Sequence, residues 1–229
     1  MRDINEQFVS ELYVKHADAL REIRAEQRAR RATGMRVQLD DIEAEISYLL
    51  LREYRPGTVV EIGALHGWST TWILSALRDN ETGQLCSADL IDNAQRTVPA
   101  ELAAGRWRFV LGDVRNNLGG LPSAIDYLFV DAAHTTRFAH WYLRHVLPTL
   151  APGTPVSVHD VFHHARALPW TEGATVLGWL RRRGIEYFTA SAAHAPRTHA
   201  RLVGLRRELD LAEPVHSGKH NPMIFFSSC

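Results

Sequence analysis

Carboxylates and histidines gather at two places in the sequence, each at the end of a short apolar run. Asp131 ends the run 125–131, and Asp160 ends the run 155–160. If these runs form neighbouring strands, their carboxylates lie about 4.8 Å apart and repel each other unless they share a proton or a cation. Oxygen ligands favour Mg²⁺, Ca²⁺ or Mn²⁺, and the adjacent His159 would also admit a transition metal. Asp131, His159 and Asp160 are therefore candidate metal ligands.

Histidines that follow the same two runs could move a proton. His134 comes three residues after Asp131, and His163 and His164 come three and four residues after Asp160. An imidazole with a pKa near 6.5 can accept a proton at neutral pH. His134, His163 and His164 are candidate catalytic bases, and for each the alternative is an ordinary loop histidine in contact with solvent.

A turn with two glycines follows the apolar run 58–62. Gly63 and Gly67 are four positions apart, and Ser69-Thr70 opens a helical pattern. Glycines let a backbone approach a ligand closely beyond the carboxyl end of a parallel strand. The spacing is neither the GxGxxG of a dinucleotide site nor a P-loop. The turn is a candidate ligand site, with an ordinary turn that needs glycine for its geometry as the alternative.

Acidic residues also end the second and third apolar runs. Asp89 ends the run 84–89, and Asp113 follows the run 106–111. A carboxylate at the position of Asp89 can accept hydrogen bonds from both hydroxyls of a ribose. Asp89 and Asp113 are therefore candidate ligand residues at the same edge of the predicted sheet as the turn.

The elements that must position these residues alternate between short strands and helices. Such alternation predicts an α/β fold with a mainly parallel sheet covered on both faces. Two or three helices come first, so that residues 1–56 would form a helical cap or lid and residues 57–229 a single compact domain. The predicted strands are 58–62, 84–89, 106–111, 125–131, 155–160, 185–190 and 223–228. The predicted helices are 68–78, 98–104, 136–150, 173–183 and 197–209.

The amino-acid composition argues against some classes of binding partner. The chain has 229 residues, with 26 basic and 26 acidic side chains and 45% hydrophobic residues. A formal net charge of zero argues against a protein that binds nucleic acid by neutralising phosphates. The two cysteines predict neither a disulfide framework nor a zinc site. The first twenty residues do not resemble a signal peptide, and no apolar run would span a bilayer, so we expect a cytoplasmic protein without a membrane partner.

The glycine turn resembles motif I of the class I S-adenosylmethionine (SAM) methyltransferases, and the acidic strand ends fall where that family has its donor site. The resemblance implies a Rossmann-like sheet of seven mostly parallel strands in the order 3-2-1-4-5-7-6, with the last strand antiparallel. It also implies that SAM is the cofactor and that its binding residues are Glu61, Gly63, Ala64, Gly67, Ser69, Thr70, Asp89, Asp113, Val114 and Asp131.

The second constellation, Asp-x-x-His followed by His-Asp, resembles the small-molecule O-methyltransferases of the methyltransferase family 24 type. That subfamily includes macrolide-sugar O-methyltransferases and cephalosporin-biosynthesis proteins, in which a divalent cation such as Mg²⁺ holds the acceptor hydroxyls. The implied acceptor is a hydroxyl on a sugar or a polyketide-type product of antibiotic biosynthesis, and the resemblance allows a homo-oligomer. His159-Asp160 departs from the Glu-Asp or Asp-Asn found in many relatives.

These residues are consistent with three functions. The first is metal-assisted O-methylation with a histidine base. The second is N- or O-methylation without a metal, in which Asp131 serves only the donor and Asp160 caps a loop. The third is a protein of the same fold that binds SAM or a nucleotide without catalysis.

Overall fold

A computed structural model describes residues 3–216 and 218–229, and these contain one seven-stranded sheet. The strand order is β3-β2-β1-β4-β5-β7-β6, and β7 is antiparallel to β5 and β6. The implied fold class and strand order are confirmed. The strands are β1 (Thr58–Ile62), β2 (Gln84–Asp89), β3 (Trp107–Leu111), β4 (Tyr127–Val130), β5 (Pro155–Val158), β6 (Phe188–Thr189) and β7 (Ile224–Ser227).

The central strands are apolar runs because helices cover both of their faces. Every residue of β4 and β5 is buried. Parallel pairing aligns Ile62 with Val130 and Val130 with Val158. The residues that directly follow β1, β4 and β5 therefore emerge at one edge of the sheet, as the sequence predicted for Asp131 and Asp160.

Helices form a layer on each face of the sheet. One apolar cluster joins the sheet to α1–α6 and α9, and the other joins it to α7 and α8. The helices are α1 (Glu6–Lys15), α2 (Ala17–Ala32), α3 (Asp41–Tyr54), α4 (Trp68–Asp79), α5 (Asn93–Thr97), α6 (Ala100–Ala103), α7 (Thr136–His145), α8 (Glu172–Arg183) and α9 (Pro196–Glu208).

Proline changes two of the predicted helices. The expected helix 98–104 is reduced to α6 (Ala100–Ala103), because Val98 precedes Pro99 and adopts an extended backbone (φ −71°, ψ 128°), and the short helix α5 before it was not predicted. The expected helix 136–150 ends at His145, and a 3₁₀ turn that contains Pro148 (Leu147–Thr149) follows it. The predicted strand 185–190 is reduced to β6, which spans Phe188–Thr189.

The N-terminal helices are packed into the domain. The buried Glu45 of α3 accepts hydrogen bonds from Arg24 of α2 and from Arg206 of α9, and Tyr13 of α1 donates to it at 2.8 Å. One carboxylate thus ties four helices together, and α3 lies directly against α4. The division of the chain at residue 57 stays a prediction. Within the described ranges, no helix is both long and apolar enough to span a membrane.

Candidate active site

A cavity of about 650 Å³ opens at the carboxyl-terminal edge of the sheet. Asp89 and Asp113 line one end, Gly63 lies in the middle, and Asp131 and Asp160 line the other end. The sequence predicted two sites, a glycine turn and an acid–histidine cluster. Tertiary structure places both on one continuous wall.

The glycine turn brings its backbone against β4. Gly63 has φ +92° and donates from its amide to the carbonyl of Ala88 at 2.9 Å. A Cβ at Gly63 would lie 1.8 Å from the carbonyl oxygen of Asp131, so no other residue fits without displacing the turn. Gly67, the N-cap of α4, has φ +76°, and a Cβ there would lie 2.5 Å from Val98. The turn therefore needs glycine at both positions for its geometry.

Glu61 supports the turn from behind and does not line the cavity. Its side chain is 0% exposed and accepts hydrogen bonds from Ser69, Thr70 and Ser87 at 2.6, 2.7 and 2.5 Å. Burial raises the pKa of Glu61 from 4.5 to about 7, although the three hydroxyls oppose that shift.

The predicted donor-binding residues are thus divided by the structure. Three of them, Glu61, Gly67 and Thr70, do not line the cavity and instead stabilise the glycine turn from behind. The residues on the cavity wall are Gly63, Ala64, Ser69, Asp89, Asp113, Val114 and Asp131.

Asp89 accepts hydrogen bonds from the glycine turn and from the loop that follows β2. Its Oδ2 accepts hydrogen bonds from the amides of Ala64 and Leu65 at 2.8 and 2.7 Å, and its Oδ1 accepts one from Ile91 at 3.1 Å. A carboxylate has about four acceptor positions, so Oδ1 can still accept a hydrogen bond from a ligand hydroxyl. Asp89 therefore combines a structural role with the position expected of a ribose ligand.

Asp113, predicted at the adenine end, forms an ion pair with Arg115. Arg115 Nη2 lies 2.6 Å from Asp113 Oδ2, and this pairing lowers the pKa of Asp113. Val114 is buried beside it and lines the cavity. This end of the cavity combines an apolar surface with a paired carboxylate.

The acid–histidine cluster occupies the opposite end of the cavity. His134 Nε2 lies 3.5 Å from Asp131 Oδ1 and 3.3 Å from Asp160 Oδ2. One ligand atom from each of these three residues lies within 4.8 Å of the others, a spacing that could hold a metal ion. His134 and Asp160 have φ values of +47° and +57°, in a region that side chains other than glycine enter rarely and that is often found at functional sites.

His159 is placed differently from the metal ligand that the sequence predicted. Its Nε2 contacts Glu43 Oε1 at 2.9 Å, and its Nδ1 lies 3.1 Å from both Asp131 Oδ1 and Asp160 Oδ1. His159 is 7% exposed, and burial opposes its charge, but the surrounding carboxylates raise its pKa well above 6.5. The cluster of candidate ligands therefore contains His134 and not His159, which would carry a positive charge between the carboxylates.

Glu172 orients His134 from the far side. The sequence left Glu172 open as a pocket residue or as a helix-terminal carboxylate, and it is the first residue of α8. Its Oε2 lies 3.2 Å from His134 Nδ1, and the side chain is almost fully buried. Thr135 and Thr171, the N-caps of α7 and α8, pair in a β-bridge that brings the two residues together. Burial opposes the charge of His134, but Glu172 and the two aspartates raise its pKa.

The two remaining candidate bases are placed apart. His163 lines the cavity, its side chain is 49% exposed, and its Nε2 lies 2.7 Å from Asp160 Oδ1. His164 is exposed and does not line the cavity. The structure thus brings His134 and His163 to the cluster and leaves His164 outside it.

Residues from distant segments complete the cavity wall, and sequence reasoning missed them. Gln38, Asp40 and Glu43 come from the start of α3 and the segment before it, and His220 and Pro222 come from the segment before β7. Asp40 and Glu43 form a capping box, which is a local signal of a helix start and not of a ligand site.

Residues 60–161 match the family model of a methyltransferase domain. The match covers the glycine turn, the acidic strand ends and both carboxylates of the cluster. The predicted resemblance to methyltransferases is confirmed. No curated protein matches the chain.

Solved structures share the fold at low sequence identity. The O-methyltransferase TomG from Streptomyces achromogenes, involved in tomaymycin synthesis and solved with SAM, is 18% identical over 95% of this chain and 89% of its own, with a TM-score of 0.56. An O-methyltransferase from Bacillus cereus, solved with S-adenosylhomocysteine (SAH), is 20% identical over 98% and 96%, with a TM-score of 0.53. The SAH-bound methyltransferase PaMTH1 from Podospora anserina is 15% identical over 82% and 84%, also at 0.53.

Proposed function

We propose that the chain transfers the methyl group of SAM to a hydroxyl of a small molecule, because residues 60–161 match the model of a methyltransferase domain and the sheet has the strand order of the class I methyltransferases. One observation carries the proposal. The acid–histidine cluster of Asp131, His134 and Asp160 opens on the same cavity as the glycine turn. A donor on the turn would thus lie next to groups that can bind and deprotonate an acceptor.

The residues of the turn fit the donor. Gly63 and Ala64 line the cavity, and Asp89, which keeps a free acceptor position, lines the same cavity, whose volume is large enough for a nucleoside. The apolar surface of Val114 suits the flat face of an adenine. These residues would hold the donor so that its methyl group points along the cavity. Alignment of this kind supplies a large share of the rate enhancement in a displacement reaction.

The cluster also fits a divalent cation. Two carboxylates and an imidazole offer ligand atoms within 4.8 Å of one another, and Glu172 holds the second nitrogen of His134, as carboxylates commonly do for metal-binding histidines. A bound cation such as Mg²⁺ would lower the pKa of an acceptor hydroxyl.

His163 is the base in this proposal. It lines the cavity, contacts Asp160, and is exposed enough to release a proton to water. His134, also a predicted base, would be engaged as a ligand, and His164 would have no part in the reaction. The acceptor class that we propose is a sugar or polyketide-type product of antibiotic biosynthesis.

The experiment is a transfer assay with labelled SAM and a panel of hydroxyl acceptors, on protein freed of metal by chelation and resupplied with Mg²⁺ or Mn²⁺. Transfer that stops on chelation and returns with metal supports the proposal. Donor binding without transfer to any acceptor in single-turnover assays would favour a non-catalytic protein.

A metal-free reaction is the second candidate. It is favoured by His159, whose raised pKa lets it neutralise Asp131 and Asp160 without a cation. His134, oriented by Glu172, would then be the base. Transfer that is insensitive to chelation but lost in His134→Ala would identify this route, whereas the metal-assisted route predicts a larger loss with His163→Ala once metal is saturating.

A further inference from the structure

Tyr142 and Glu172 each have a buried polar atom that the fold leaves without a partner. Oη of Tyr142 and Oε1 of Glu172 are shielded from solvent, and neither makes a hydrogen bond within residues 3–216 and 218–229. A protonated phenol can donate a hydrogen bond, and a carboxylate oxygen can accept one. Buried polar groups are nearly always paired in native proteins, so this donor and this acceptor indicate a bond to each other.

The two side chains meet between α7 and α8. Thr135 and Thr171, the N-caps of these helices, form a β-bridge, and the helices pack against each other through a shared apolar cluster. Glu172 is the first residue of α8, and Tyr142 lies in the second turn of α7. Helical side chains tilt towards the N-terminus, which directs the hydroxyl of Tyr142 towards the paired helix starts.

Electrostatics and burial give Tyr142 an indirect role. Burial and the adjacent carboxylate of Glu172 raise the pKa of Tyr142 well above 10, so the phenol keeps its proton and can donate it. Its ring contacts Phe138 edge-on at a centroid distance of 5.6 Å, and Phe138 lines the cavity whereas Tyr142 and Glu172 do not. Tyr142 therefore lies behind the cavity wall and acts on the site only through its neighbours.

We propose that Tyr142 donates a hydrogen bond to Oε1 of Glu172 and is thereby a positioning residue for His134. Oε2 of Glu172 lies 3.2 Å from Nδ1 of His134. With Oε1 held by the phenol, Oε2 accepts the Nδ1 proton, and Nε2 of His134 keeps its lone pair towards Asp131 and Asp160. The use of that lone pair rests on the proposed function, in which Nε2 either binds a cation or accepts a proton.

The first test measures metal affinity, with Mn²⁺ as the probe and electron paramagnetic resonance as the readout. Loss of a group that holds a metal-binding histidine weakens metal binding by about tenfold to a hundredfold. Tyr142 is one hydrogen bond farther away, so Tyr142→Phe should raise the Mn²⁺ dissociation constant by about fivefold to tenfold and leave SAH affinity unchanged. Tyr48→Phe is the matched control, because it removes a buried hydroxyl that donates to Asp79 and does not line the cavity.

A double-mutant cycle shows whether Tyr142 acts through Glu172. In the Glu172→Gln background, Tyr142→Phe should have little further effect on Mn²⁺ affinity, because the group that the phenol holds is already changed. Effects that simply add would give Tyr142 a structural role only and would overturn the proposal. The proposal also fails if Tyr142→Phe weakens Mn²⁺ binding no more than Tyr48→Phe does.

The second test needs no metal. Nitrogen-15 NMR of chelated, histidine-labelled protein in alkaline buffer reports the tautomer of neutral His134, whose signal is identified by its loss in His134→Asn. We expect the wild type to carry the proton on Nδ1, and Tyr142→Phe to shift part of the population to the Nε2–H tautomer.

Two NMR results would overturn the inference. The first is an unchanged tautomer in Tyr142→Phe, and the second is a wild type with its proton on Nε2, which decides the matter even if the variant does not fold. A wild type that binds no Mn²⁺ but shows the expected tautomer shift keeps the inference and refutes only the metal in the proposed function.

Discussion

Glu61→Gln should remove a pH dependence of stability that one buried carboxyl group imposes. The side chain is 0% exposed, and burial raises its pKa from 4.5 to about 7. A carboxyl group with a raised pKa binds its proton more tightly in the folded state than in the unfolded chain. Its contribution to stability is therefore full below the unfolded pKa and is lost as the pH rises towards 7.

The size of the effect follows from the shift. A difference of one pKa unit corresponds to 1.36 kcal/mol, so the free energy of unfolding should fall by about 2.5 kcal/mol between pH 5 and pH 8 through this group alone. Other groups titrate in the same range. The quantity to measure is therefore the difference between wild type and Glu61→Gln.

Urea unfolding of both proteins without ligand, at several pH values from 5 to 8, measures this difference. The wild type should lose stability relative to Glu61→Gln as the pH rises. Glu22→Gln is the matched control because Glu22 is exposed on α2. Parallel pH profiles for the wild type and Glu61→Gln would show that Glu61 titrates normally and would refute the reasoning.

Four further substitutions test the turn, the division of roles and the helical cap. Gly63→Ala should destabilise the protein and abolish SAH binding, because its Cβ would lie 1.8 Å from a backbone oxygen, and calorimetry and thermal unfolding measure both losses. Asp89→Asn should raise the dissociation constant of SAH, whereas Asp160→Asn should leave that constant nearly unchanged and remove turnover in the transfer assay. Glu45→Gln should lower the free energy of unfolding by about 3 kcal/mol in urea, since two buried arginines share this carboxylate.

Controls separate these effects from general damage. Gly119→Ala adds a Cβ in open space and should change neither stability nor SAH binding. Similar losses in Gly63→Ala and Gly119→Ala would contradict the steric argument. Equal effects of Asp89→Asn and Asp160→Asn on donor binding would contradict the separate donor and acceptor roles. A cost for Glu45→Gln no larger than that of Glu22→Gln would mean that the buried ion pairs do not stabilise the cap.

The main elements of the sheet could be predicted because their signals are local. The runs 58–62 and 84–89 end where β1 and β2 end, since the glycine turn begins at Gly63 and the polar Asp89 meets the edge of the sheet. The family resemblance added the strand order, including the place of β7. Element ends were predicted less well where a proline intervened, as at Pro99, or where a strand paired over only two residues, as β6 does.

Only part of the candidate site could be predicted from the sequence. The glycine turn, Asp131 and Asp160 follow β1, β4 and β5, which are neighbours in the sheet. The predicted strand order therefore indicated that they would lie close together. The partners that decide their chemistry lie far away along the chain. Glu43 contacts His159 across 116 positions, and Glu172 contacts His134 across 38.

The fold class, the glycine turn and the acidic strand ends could be predicted from local sequence, because strand periodicity and turn geometry depend on neighbouring residues. Long-range packing decided two further features, namely that Glu61 supports the turn from behind and that His134 joins Asp131 and Asp160 as a candidate ligand in place of His159. Those outcomes depend on where helices from both ends of the chain pack, and packing joins residues that no local pattern connects.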